Sequence, residues 1–388
     1  MECKKFPSEN ERFEFIDGLR GAAVLWVVLH HAFYSFHMSR VMAKAVNFCH
    51  DYGFGIPMAL FRDALTLLAS RGFFGVNLFF VISGFLITGL LIESLTGKLQ
   101  IGRFYLRRFF KIIPHYYFVI SIVFIPLFVV NPLEAWPPLW QKTFSYLFFF
   151  QSYNIGVSAL DHTWSMVVEE QFYVFWAVFL FILSKYCSSE GDRWRIAFFT
   201  TIILIIAITV NRFYFYRNGV SLVSIYPMVT HETHCISLIA DCLMIGSLLR
   251  LFWHRYPEFF RNKSRSFFAY ALGIFVFIVL LSLPASGVGV PDVWYAATLS
   301  GISPLLFIIG GLGGVAWGWQ FPWLRQVGRN SYGLYLVHYP LLLCLRSRWA
   351  GGGYIPFIIY IALVVFLGFL TTTTIEKYFL DLRKKISP

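Results

Sequence analysis

An all-α, polytopic integral membrane protein is predicted by three observations on this 388-residue chain. The chain is 58% hydrophobic and only 13% charged, too apolar for a water-soluble globule, so the bilayer is its solvent. Ten apolar runs approach or exceed the roughly 20 residues that a helical crossing needs. An unsatisfied backbone group in lipid costs several kcal/mol, which makes each crossing helical.

The runs lie at 18–37, 73–95, 113–131, 164–184, 195–212, 233–252, 267–284, 295–316, 330–346 and 354–375. The first follows "MECKKFPSENER" in the manner of a leader peptide, but no small-x-small cleavage site precedes "FYSFHMSR", so a retained first helix is expected. In the second, Asn77 and Ser83 are ordinary packing groups, and Ser83-Gly84 allows close helix approach. The third is preceded by "RFYLRRFFKII", whose Arg103, Arg107, Arg108 and Lys111 stand just before Pro114, the expected helix start. The fourth carries Glu169 and Glu170 more than one turn inside, and Tyr173 follows Glu169 at i+4. The sixth carries Asp241, the eighth Gly310-Gly311 and Gly313-Gly314, and the ninth Ser331, Tyr332, Tyr335 and His338.

An eleventh run, "TFSYLFFFQSY" at 143–153, is short and follows the Pro-rich "NPLEAWPPLW". Lys and Arg gather on the cytoplasmic side only if this segment does not cross, so it is expected to be re-entrant or interfacial. Ten crossings with both termini cytoplasmic follow. The expected organisation is a single transmembrane domain over 1–388, with a helical core at about 13–376, short tails and no soluble domain.

The net charge of +12 falls in short clusters between apolar runs, which speaks for topology signals and local anion sites and against a nucleic-acid surface. Six scattered cysteines argue against a disulfide framework or zinc site, and "HETHC" at 231–235 has no metal-ligand spacing.

Charges inside lipid cost at least about 2.5–3.5 kcal/mol each and ask for a purpose. In "FIDGLRGAAVLWVVLHHAF", Arg20 and His31 lie within about 20° of one helix face and roughly 16 Å apart, while His30 is turned roughly 80° away. The plain alternatives are a topology anchor for Arg20 and a helix-packing hydrogen bond for His31. Cations at a helix N-terminus before Pro114 would make a phosphate site, with lipid headgroup binding as its alternative. Paired carboxylates at 169 and 170 fit a site that orients or deprotonates a histidine, and His31 is expected at a similar depth. Asp161 and His162 sit at the mouth of the same helix.

"FIDGLRGAAVLWVVLHH", "GFFGVNLFFVISGFLIT", "FYLRRFFKIIP", "TWSMVVEEQFY" and "NSYGLYLVHYPLL", in this order and spacing, resemble the acyltransferase family 3 of membrane proteins. The resemblance runs from about residue 13 to the end of the last helix. It implies a ten-helix membrane enzyme that moves an acyl group, most often acetyl from acetyl-coenzyme A, to a hydroxyl of a cell-envelope glycan, or of a macrolide or other small molecule. It carries functional roles to Arg20 and His31 and a donor role to Arg108 and Lys111. Lys111 stands where a second Arg is usual, which keeps the charge and loses bidentate geometry. Asn77 stands where an Asp is common and is given no catalytic role. Members acting on peptidoglycan often carry a further esterase-like domain, which is not expected in these residues.

The expectation is therefore a bacterial cytoplasmic-membrane acyltransferase, with acyl-coenzyme A as co-substrate and no permanently bound cofactor or metal. The donor phosphates would rest on Arg20, Arg107, Arg108 and Lys111 at the cytoplasmic face. His31, oriented by Glu169 or Glu170, would deprotonate the acceptor or carry the acyl group transiently. Tyr173, Ser165 or Tyr335 would stabilise the oxyanion, and Asp17, Asp241 and His338 would support the site. The acceptor would enter from the opposite side, past loops at 38–71 and 213–232. A proton-coupled transporter is the competing class, although "DGLRG" and "VEEQ" each occur once and show no inverted repeat.

Overall fold

A computed structural model describes residues 13–51, 55–96, 100–130, 138–151, 158–218, 240–283, 295–349 and 351–386. No strand occurs among them. Helix α1 spans Glu14–Ser35, α2 Met38–Asp51, α3 Gly55–Ser70 and α4 Phe73–Leu91. Helix α5 runs over Ile101–Val130 and α6 over Pro138–Leu147. A 3₁₀ turn at Ser158–Thr163 leads into α7, Trp164–Tyr186, followed by α8, Glu190–Arg217. Then come α9 (Asp241–Arg255), α10 (Lys263–Ser282), α11 (Ala296–Leu312), α12 (Pro322–Arg329) and α13 (Ser331–Arg348). The last element is α14 (Tyr354–Thr371), continued through a π turn at Thr372–Glu376 into α15 (Lys377–Ile386).

Each of the ten apolar runs contains a helix among the described residues. Among the described residues, six spans are long and apolar enough to cross a bilayer: Phe73–Leu91, Ile101–Pro126, Ala159–Tyr186, Glu190–Arg217, Lys263–Ser282 and Tyr354–Ile386. Helices α1, α9, α11 and α13 fall short in length or carry charge, and most of α1 and α9 is buried against neighbouring helices. That is the arrangement that keeps ionisable groups away from lipid. Helix α6, at ten residues, is too short to cross.

Two expectations are corrected. The 38–71 stretch is not a loop: it forms α2 and α3, which pack on each other and on α1. Helix α5 begins at Ile101, thirteen residues before Pro114, because "IGRFYLRRFFKII" is built of residues that tolerate helix well. Proline inside a membrane helix is accommodated when neighbours re-satisfy the freed backbone groups, and Pro126, Pro304 and Pro340 are likewise interior. Arg107, Arg108 and Lys111 therefore sit within a helix, where the N-terminal dipole no longer assists them.

Helix α1 is central, packed on α4, α12, α13 and α14, while α9 lies along α4. The α4–α9 contact depends on Gly84 and Gly246. A Cβ on Gly84 would fall 1.9 Å from the Leu243 carbonyl oxygen, and one on Gly246 would fall 2.0 Å from that of Val81. Between lipid-solvated helices, such close backbone approach is a main source of association. Arg212 of α8 and Asp241 of α9 form a fully buried ion pair at 2.9 Å. Thr298 of α11 donates to Asp241 (2.7 Å) and accepts from Arg212 (3.1 Å). Asp241 is thereby a structural tie among three helices.

Candidate active site

Two polar clusters occupy the bundle, one toward each end of α1. The first gathers Asp17 and Arg20 of α1, Arg108 and Lys111 of α5, Glu169, Glu170 and Tyr173 of α7, and Glu376 of the π turn. Residues 108, 111 and 115 share one helical face, so α5 presents Arg108 and Lys111 together. Glu169 accepts hydrogen bonds from Ser83 (2.9 Å) and from the Tyr173 hydroxyl (3.1 Å). Both Arg20 and Arg108 act on Glu169 electrostatically, and Arg108 also acts on Glu170. The Arg108 guanidinium lies 5.1 Å from the Tyr173 ring centroid, within cation–π range. Lys111 pairs with Glu376 at 3.5 Å, and Glu376 also bears on Arg20. The other Glu376 carboxylate oxygen is buried with no hydrogen-bond partner among the described residues. Asp17 bonds Arg329 at 3.2 Å, which ties α1 to α12.

The second cluster is built of imidazoles. His31 Nδ1 lies 2.9 Å from the Val27 carbonyl oxygen, and His338 Nδ1 lies 2.6 Å from that of Tyr335. A carbonyl oxygen only accepts, so in both neutral rings Nδ1 carries the proton and Nε2 is the basic nitrogen. The His31 ring centroid stands 5.2 Å from that of His338, and His162 stands 4.9 Å from His338. Tyr339 packs edge-on to His31 at 5.2 Å. His31, His162 and His338 are all buried. His30 is held apart by the Ala69 carbonyl of α3, at 2.6 Å, although its ring still touches His31. Among the described residues, no group of His, Cys, Asp and Glu is arranged to hold a metal ion.

Tyr335 and Ser165 link the two clusters. The Tyr335 hydroxyl donates to the His162 carbonyl at 2.5 Å, so the 2.7 Å contact with Ser165 must take its proton from Ser165. Tyr335 also lies within electrostatic reach of Glu169. A column of polar side chains thus runs from Arg20 and Glu169 through Tyr335 and Ser165 to the histidines. Each expected oxyanion donor already has its proton committed: Tyr173 to Glu169, Tyr335 to His162, and Ser165 to Tyr335.

The Glu169 carboxylate is held by Ser83 and Tyr173 beside the cations of the first cluster. Helix α7 begins only at Trp164, so Glu169 lies roughly 8 Å further along the helix than its first residue. It is His162, in the turn before α7, that reaches His31's neighbour His338. The His31 ring is oriented from its own helix by the Val27 carbonyl.

Asn77 behaves as expected, bonding Ser300 at 2.5 Å across α4 and α11. "HETHC" lies outside the described residues. Ser83, His162, Tyr332 and Glu376 carry more of the site than their sequence positions announce. Tyr332 bonds the Ile112 carbonyl at 2.9 Å and so fastens α13 to α5 beside Lys111. Glu376 reads in sequence as the start of a charged tail, and only the π turn carries it inward.

A family model described as "Acyltransferase domain" matches residues 13–376. The peptidoglycan O-acetyltransferase OatA of Listeria monocytogenes is 26% identical over 366 residues, covering 84% of this chain and 49% of that protein. The putative peptidoglycan O-acetyltransferase YrhL of Bacillus subtilis is 25% identical over 371 residues, covering 84% and 48%. The O-acetyltransferase OatA of Staphylococcus aureus is 25% identical over 344 residues, covering 81% and 53%. The chain thus spans about half the length of these curated relatives. No solved structure matches it.

Proposed function

The chain belongs to the acyltransferase domain family, and on that premise we propose that it is a membrane O-acetyltransferase acting on a cell-envelope carbohydrate. Peptidoglycan, the substrate in the names of two of its relatives, is the proposed acceptor. Acetyl-coenzyme A is the proposed donor, bound from the cytoplasm with its phosphates on Arg20, Arg107, Arg108 and Lys111. The observation that carries this reading is the polar column along α1, which joins a cation-rich end to the basic nitrogen of His31. A thioester arm entering from the first cluster follows that column toward the histidines.

In the proposed step, His31 Nε2 takes the proton of the acceptor hydroxyl as its oxygen attacks the thioester carbonyl. The carbon–sulfur bond breaks, the ester forms, and the proton passes to the departing thiolate. The Val27 carbonyl keeps the reactive tautomer in place throughout. Glu169 and Glu170 act at the donor end, where Glu169 sets Tyr173 and counterbalances Arg20 and Arg108. Glu376 holds Lys111 when the donor is absent.

The test is transfer of radiolabelled acetyl from acetyl-coenzyme A to peptidoglycan in membranes holding the full chain. His31→Ala is expected to lower kcat by about 10²–10⁴-fold, the range of a lost general base. Arg108→Ala is expected to raise the donor KM more than it lowers kcat. Full transfer by a folded His31→Ala protein would sink the catalytic assignment, and an unchanged donor KM in Arg108→Ala would move the donor elsewhere.

A further inference from the structure

His338 is fully buried, and its Nδ1 is committed to the Tyr335 carbonyl of its own helix at 2.6 Å. Its Nε2 is therefore a lone-pair acceptor, and it has no hydrogen-bond partner among the described residues. A buried acceptor left without a hydrogen bond is destabilising, so such an atom calls for a donor from outside the protein fold. No carboxylate or metal arrangement accounts for it: the groups around the ring are His31, His162, Tyr335 and Tyr339. Tyr335 has already given its proton to the His162 carbonyl.

We propose that His338 Nε2 accepts a hydrogen bond from a second hydroxyl of the acceptor while His31 Nε2 handles the hydroxyl that reacts, which makes His338 an acceptor-specificity residue. Two imidazoles with ring centroids 5.2 Å apart, both with Nε2 as the basic nitrogen, match a substrate that carries a second hydroxyl close to the one that reacts, on the same sugar or on the next across the glycosidic bond. A carbohydrate has that pattern and a simple alcohol does not. The inference rests on the acetyltransferase reading and refines it, since it states which feature of a sugar the site requires.

The experiment measures acetyl transfer to a soluble peptidoglycan disaccharide and to its monodeoxy analogues, each lacking one hydroxyl, by wild type, His338→Phe and His338→Gln. Phe keeps the ring and removes the lone pair, whereas Gln retains an acceptor oxygen. The lost hydrogen bond is expected to raise the acceptor KM of His338→Phe between about two- and ten-fold, with the donor KM unchanged. His338→Gln should recover most of that loss. One deoxy analogue should be weakened to the same extent with wild type and show no further loss with His338→Phe, because enzyme and substrate then lack two halves of one bond. Equal losses on every analogue, a lowered kcat at constant acceptor KM, or no recovery by Gln would overturn the assignment. Should His338→Phe fail to fold, the wild-type series still decides: no weakened deoxy analogue means no second hydrogen bond. A wild type that acylates no sugar at all removes the parent reading together with this one.

Discussion

Arg212 and Asp241 illustrate how a single residue acquires its meaning in this protein. Asp241 alone in an apolar run invites a functional reading, because a lone carboxylate in lipid is costly. Its partner comes from another helix, 29 positions earlier, at 2.9 Å and fully buried. Breaking such a pair from one side leaves an uncompensated charge, so Arg212→Met is expected to destabilise by about 3–5 kcal/mol. Replacing both partners with apolar residues, Arg212→Met with Asp241→Leu, should cost far less. Thermal unfolding in detergent for the two single variants and the double variant checks this. A double variant no better than the singles would show that the pair does not act as a unit.

His31 and Glu169 show the opposite case. The type of each residue announced ionisable chemistry, and the face shared by Arg20 and His31 followed from helical periodicity alone. Which carboxylate meets which cation did not, since that depends on where α7 starts relative to α1. The Ser158–Thr163 turn sets that start, and nothing in the local pattern at 164–170 records it.

At the level of helices, α4 and α9 depend on small residues at their crossing. Gly246→Ala would drive its Cβ onto the Val81 backbone, with a carbonyl oxygen 2.0 Å away that no rotamer can move. Overpacking of this kind costs typically about 1–3 kcal/mol, and separation of the two helices should also loosen the Ser83–Glu169 bond on the other side of α4. The expected outcome is a lower unfolding temperature with a raised donor KM; unchanged stability would mean that the helices separate without penalty. The Ser83-Gly84 pair was legible as a packing signal from residue size. The hydrogen bond from Ser83 to Glu169 was not, because serine reads alike whether it packs or bonds. The same limit hid Glu376, whose inward position arises from the extra residue that the Thr372–Glu376 π turn inserts into the last long helix. It also hid α2 and α3, whose mixed polar and apolar residues read as a loop.

For the whole molecule, the distribution of Lys and Arg predicts which ends of the bundle meet the cytoplasm. With ten crossings and a cytoplasmic N-terminus, the turn at Pro257–Arg261 between α9 and α10 faces the cytoplasm. A single-cysteine variant carrying Arg261→Cys should react with a membrane-impermeant thiol reagent only after the cells are opened. Labelling of intact cells would invert every segment beyond the short α6.

Composition and period were sufficient for an all-helical polytopic chain, for the ten apolar segments and for the face linking Arg20 to His31. These depend on nearest neighbours along the chain and on the cost of backbone groups in lipid, both written locally. Tertiary packing alone assigned partners. It placed Glu169 and Glu170 among the cations, surrounded His31 with His162 and His338, and gave Asp241 to Arg212. Such pairings depend on the relative depth of separate helices, which turns and close glycine contacts set and which no single segment encodes.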